Sequence, residues 1–170
     1  MTVTSAGNTR FALLDTPSAR DIDIVFRVAV NKIASGGNYI VYAVARRNTT
    51  NEYRPRIQLL SNGSVAVGAS VVVNNTETTL GSWTTVSGLT QTANGFIWVH
   101  AQVTGTNPTT IKVRAWADGS AEPSTWQYTT TDSNAAVQSA GSVGLRLWVA
   151  KTATTAPITF GFDDYSVVGS

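Results

Sequence analysis

The chain has no cysteine and only one histidine, His100. That removes disulfide frameworks, thiolate metal sites and cysteine nucleophiles together, and any Ser-His-Asp arrangement would have to run through His100. No Gly-x-Ser-x-Gly elbow is present to supply a nucleophilic serine. Charge is sparse, at 13% of residues, and the formal net charge is only +2. No basic run exceeds Arg46-Arg47, so the positive stripe that tracks a phosphate backbone is missing and nucleic acid is not an expected partner. No stretch approaches the ~20 apolar residues of a membrane helix, and membrane insertion is not expected. Met1 to Asn8 contains neither a basic nor an apolar segment, so no secretory signal is read there.

What the sequence does contain is alternation. In Asp21–Val30, Ile22, Ile24, Phe26, Val28 and Val30 fall on one face, while Asp21, Asp23 and Arg27 fall on the other. Similar runs predict strands at 39–47, 53–60, 65–73, 78–86, 96–103, 110–117, 125–131, 143–150 and 158–168, about a dozen strands in all. Turn signals separate them: Ser35-Gly-Gly-Asn38, Asn62-Gly63, Asp118-Gly119 and Ala156-Pro157. Asn62-Gly63 is read as a two-residue type I′ hairpin turn. One helical turn is expected within 134–140. With 170 residues and no linker or repeat, the expectation is one all-β domain over 1–170, a two-sheet antiparallel jelly-roll sandwich.

The polar faces of these strands carry the candidate binding residues. Period two groups Trp98, His100 and Gln102, then Lys112, Arg114 and Trp116, then Arg146 and Trp148, and finally Arg54, Arg56 and Gln58. If the four strands share a sheet, they form one pavement of Trp with Arg, His and Gln. Such a surface suits sugars, because an aromatic ring stacks on the apolar C–H face while planar donors bind hydroxyls. The same residues suit a subunit interface, where Trp and Arg are also enriched. Trp83 and Trp126 follow turn-like positions and read as core lids; Phe26, Phe160 and Phe162 read as core.

Catalysis is not expected. Ten carboxylates are present, but no alternating acid triplet supplies the facing pair that glycoside hydrolysis uses. Asp21-Ile-Asp23 lacks a third acid, and Asp118, Glu122 and Asp132 occupy turn positions that have ordinary backbone reasons.

Several runs taken in order resemble a known module: Arg46-Arg47, Tyr53-Arg54, Leu80-Gly-Ser, Val86-Ser-Gly-Leu89, Val103-Thr-Gly-Thr-Asn-Pro-Thr-Thr-Ile111, Trp116 through Trp126 to Asp132, and Phe162-Asp163-Asp164. From about Ser5 to Val168 the chain is similar to concanavalin A-like (laminin-G-like) jelly-roll modules of secreted actinobacterial proteins and of actinophage virion or tail proteins. The resemblance implies two facing antiparallel sheets and a non-catalytic recognition or adhesion role, with a glycan or cell-wall polysaccharide as ligand. It implies an extracellular or virion-surface location. It also points to Asp163 and Asp164 as ligands of a structural Ca²⁺, against the plainer reading that they cap backbone N–H groups. The N-terminal Phe-containing strand usual in such modules is not recognisable, which implies either a longer parent chain or an edge covered by self-association or another surface protein. The alternative is a structural virion or surface-assembly component whose Trp/Arg face is buried between subunits.

Overall fold

Alternating side chains resolve into twelve strands and one 3₁₀ turn in the computed structural model, which describes all 170 residues. One sheet runs in the order β1 (Thr2–Val3), β12 (Ile158–Gly169), β3 (Ile22–Val30), β8 (Ile97–Thr104), β9 (Thr109–Ala117) and β10 (Tyr128–Asp132). The other runs β2 (Thr9–Ala19), β11 (Gly141–Val149), β4 (Tyr39–Asn48), β5 (Asn51–Leu59), β6 (Ser64–Val73) and β7 (Thr76–Thr90). Every pairing between neighbouring strands is antiparallel. The expected all-β jelly-roll sandwich is the observed fold.

The core lies between the sheets, in one cluster of 37 buried residues. Ile22, Ile24, Phe26 and Val28 from the first sheet face it, as do Ile97, Val99, Ile111 and Val113. Tyr39, Val41, Ile57, Val65, Val67, Leu145 and Leu147 come from the second. Burying each such aliphatic side chain contributes about 1.5–3 kcal/mol, and because these residues alternate, each strand presents its remaining side chains outward.

One rim is held by a guanidinium. Arg46 is fully buried and donates to the Arg20, Gly105 and Val137 carbonyls and to Thr109 Oγ1, the last at 2.7 Å. It ties the β2–β3 and β8–β9 turns to the 3₁₀ turn over Ala135–Val137. Asp21 Oδ1 lies 3.4 Å away and accepts from the same group. Tyr53 Oη donates to Asp132 at 2.7 Å just below.

The structure differs from the sequence reading at three places. Residues 9–19, including Phe11, form an edge strand that alternation does not reveal. The expected helical turn shrinks to three 3₁₀ residues capped by Asn134. Asn62-Gly63 does not make a type I′ turn: only Gly63 has positive φ, at +89°. Gly63 N–H bonds Leu60 O, and Leu60 N–H bonds Ser64 O, the longer hairpin connection in which a single αL glycine follows a type I turn.

Candidate functional site

The topology divides the predicted pavement in two. β8 and β9, with Trp98, His100, Gln102, Arg114 and Trp116, belong to one sheet; β5 and β11, with Arg54, Arg56, Arg146 and Trp148, belong to the other. The outward faces of the two sheets lie on opposite sides of the sandwich, so the nine residues cannot form one surface.

On the first sheet the face is covered. Trp98 and Trp116, cross-strand partners, stack with centroids 5.9 Å apart and planes 6° apart. The loop between β9 and β10 then folds over His100 and Arg114. Glu122 hydrogen-bonds His100 Nδ1 and pairs with Arg114 Nε at 2.7 Å. Arg114 Nη1 donates to Pro123 O at 2.7 Å, and the Trp126 ring packs on the Arg114 guanidinium at 4.2 Å and against His100 at 4.8 Å. Asp23 accepts from Gln102 and hydrogen-bonds His100 Nε2. His100 and Trp116 are each only 9% exposed. Trp126 is therefore a lid, but over this polar face and not over the core. Glu122 and Asp118, read as turn residues, also hold the strap: Asp118 accepts from Trp98 Nε1 at 2.8 Å.

Next to the strap, Asp163 and Asp164 meet Arg27, not an open cation shell. Arg27 Nη2 lies 2.9 Å from Asp163 Oδ2, and Nε lies 2.8 Å from Asp164 Oδ2. Asp163 Oδ1 accepts the Asp164 N–H at 2.9 Å, and that bond, with the Arg27 contact, holds the Asp163 carboxyl below the usual carboxylate range. No group of three or more His, Asp or Glu side chains comes together to hold a metal. At the position where the resemblance implies a structural Ca²⁺, the guanidinium of Arg27 supplies a positive charge to both carboxylates.

The second sheet carries the open site. Across its outward face the cross-strand rows place Thr9, Trp148, Ile40 and Gln58 side by side, and Phe11, Arg146, Tyr42 and Arg56 in the next row. An open trough of about 440 Å³ is lined by Thr9, Ile40, Tyr42, Arg56, Glu77, Thr79, Arg146 and Trp148. Its floor is an ion-pair lattice. Glu77 accepts from Arg54 Nη1 at 2.6 Å, Arg56 Nη1 at 2.9 Å and Ser70 Oγ at 2.6 Å, and Glu52 bonds both Arg47 and Arg54. Arg56 also donates to Thr79 Oγ1 at 3.0 Å and lies 4.4 Å from the Trp83 ring. Arg54 and Arg56 are 6% and 5% exposed, so they build the floor, whereas Trp148 and Arg146 remain partly open to solvent.

Burial raises the pKa of Tyr42, and Glu77 adds to that effect while the arginines oppose it. The phenol is a neutral hydroxyl at the trough wall. Tyr42, Glu77, Thr79 and Trp83 are absent from the sequence-derived set. Period two along Thr76–Trp83 would have grouped Glu77, Thr79 and Trp83, but nothing local marks that face as facing Arg56. Chemically, this arrangement offers a flat aromatic edge, fixed hydroxyls and guanidinium groups on rigid strands. Both trough carboxylates are consumed by arginines.

Neither a protein-family model nor a curated protein matches the sequence. Among solved structures, the chain is similar to a carbohydrate-binding module from Bacillus subtilis (TM-score 0.57, 12% identity, 98% of both chains covered). It is similar to the CBM2 module of the evolved Dit of Lactobacillus casei BL23 phage J-1 (TM-score 0.55, 9% identity, 98% of this chain and 74% of that one). A legume lectin-like domain from Entamoeba histolytica aligns over 99% of this chain and 82% of its own, at TM-score 0.54 and 9% identity. The same fold is found in scytalido-glutamic peptidase, at TM-score 0.52. At such identities the likeness establishes the architecture: the chain is a jelly-roll β-sandwich.

Proposed function

We propose that the protein is a non-catalytic recognition module that binds a glycan in the trough on the second sheet. The observation that carries this reading is the pairing of a partly exposed Trp148 with hydroxyls and guanidinium groups held on adjacent strands, the combination that stacks on a sugar ring and bonds its hydroxyls. The carbohydrate-binding modules and the lectin-like domain among the structural neighbours support it. A non-catalytic role is supported by Glu52 and Glu77, whose oxygens are all engaged by arginine, leaving no free acid pair in the trough. Cell-wall polysaccharide at an extracellular or virion surface is the setting this reading favours. No helix is long and apolar enough to cross a membrane.

The testing experiment is binding to a panel of neutral and acidic glycans and cell-wall polysaccharides, comparing wild type with Trp148→Ala. Saturable binding that Trp148→Ala abolishes in a folded protein is the expected result. Absence of binding to every member of the panel would defeat the proposal.

A second reading has one observation in its favour. Phe11, 63% exposed on the open edge strand β2, is the cross-strand partner of the trough residue Arg146, and an apolar edge is a template for association with another copy. Sedimentation of wild type and Phe11→Ser decides it: a dimer dispersed by the substitution would support self-association.

A further inference from the structure

Arg146 is unlike the other arginines of the trough face. Glu52 gives one oxygen to Arg54 and the other to Arg47; Glu77 gives Oε2 to Arg54 and Oε1 to Arg56. Arg146 takes no part in these pairs and has no hydrogen-bond partner in the protein. Four guanidinium groups thus face two carboxylates, and the surplus positive charge is concentrated where no acid remains to meet it. Holding a partly buried cation without a partner is unfavourable. Burial, with Arg54 nearby, pushes the Arg146 pKa down.

The position of Arg146 fits a ligand. It lines the trough and also a smaller adjoining hollow of about 30 Å³ with Phe11, Leu13, Val44, Arg47 and Glu52. Trp148 stands two residues along β11 on the same face, and Phe11 lies opposite Arg146 on β2. Aromatic residues therefore stand next to Arg146 on the sheet, along its own strand and across to β2.

We propose that Arg146 receives the anionic substituent, carboxylate or phosphate, of an acidic glycan whose ring lies on Trp148. This rests on the glycan-binding reading and names its ligand class. A planar guanidinium accepts such an anion through two parallel N–H bonds, and partial removal from water strengthens the attraction. Lysine would offer only a point charge. Since Arg146 holds nothing else in place, its loss leaves no orphaned acid behind.

The test follows the Arg146 Nε–H signal by NMR while glucuronate, glucose 6-phosphate, methyl glucoside and acetate are titrated separately. The expected result is a saturable shift with glucuronate or glucose 6-phosphate at about one-tenth the concentration that methyl glucoside or acetate requires. The two acids distinguish carboxylate from phosphate. Followed through the Trp148 indole N–H signal, which every variant retains, Arg146→Met should lose that preference while its denaturant midpoint stays at or above wild type, and Arg146→Lys should retain only part of it. An equal response to methyl glucoside, an equal response to acetate, or silence toward both acids would overturn the proposal. Neutral glycan binding abolished by Trp148→Ala, with Arg146 silent, would defeat this inference alone and leave the glycan reading standing.

Discussion

The guanidinium of Arg56 lies 4.4 Å from the centroid of the Trp83 ring, and Gly68 on the neighbouring strand makes room for that ring. A Cβ at position 68 would come within 3.0 Å of Trp83 Cε3. Arg56 Nε is buried without a hydrogen-bond partner, so the indole face is what that side of the guanidinium has. Trp83→Ala should therefore cost roughly 2 kcal/mol of stability, from lost packing and lost cation–π contact. Urea denaturation measures it; a change below about 0.5 kcal/mol would show that the stack contributes little.

Trp148 and Trp116 should behave oppositely. Trp148 is partly exposed in the trough, so Trp148→Ala is expected to weaken glycan binding at least tenfold, with stability changed by less than about 1 kcal/mol. Trp116 is buried against Trp98. Its replacement by alanine should cost about 3 kcal/mol and leave the affinity of the folded fraction unchanged. Calorimetry of both variants with one glycan separates the effects.

Arg46 should be among the least replaceable residues. Arg46→Met would leave the buried carbonyl of Val137 and the part-buried carbonyls of Arg20 and Gly105 without their donor. A loss of about 3–5 kcal/mol is expected, read as a lowered denaturation midpoint and faster hydrogen exchange in the turns at 104–109 and 133–140.

Alkaline pH should unfold the protein more readily than its neutral stability suggests. Burial raises the pKa of Tyr53 and of Tyr165 to about 12, and it raises Tyr39, Tyr42 and Tyr128 as well. A folded-state pKa above the unfolded value of about 10 gives stability that is complete below pH 10 and is lost as pH climbs toward 12. Tyrosinate absorbance should stay low through the ordinary tyrosine range and then rise together with loss of structure. A gradual rise near pH 10, before unfolding, would contradict this.

The strands with a buried inner face, such as Ile22–Val30 and Ile97–Thr104, are legible because every second residue must be apolar. β2 is not, since nearly all of Thr9–Ala19 is exposed or half-exposed and its edge position imposes no alternation. Which strands share a sheet is a matter of pairing across long sequence separations: β11 meets β2 and β4, far apart in sequence. For that reason period two identifies the outward-facing candidates strand by strand, while the topology divides them between two faces. The strap was hidden for a related reason. Asp118-Gly119 and Glu122-Pro123 satisfy turn chemistry locally, and nothing in those residues reveals that Glu122 reaches His100. Arg27 likewise stands well over a hundred positions from the two aspartates it neutralises.

Ile40, Tyr42, Arg146 and Trp148 sit on strand positions whose sequence neighbours point into the core. On the proposed glycan-binding reading, specificity would be written by single side chains on a stiff lattice and not by loop length. Such a surface has little backbone freedom left to lose when a ligand arrives, and it can be retargeted residue by residue, at positions such as 148, 146 and 79, while the sandwich beneath is left untouched.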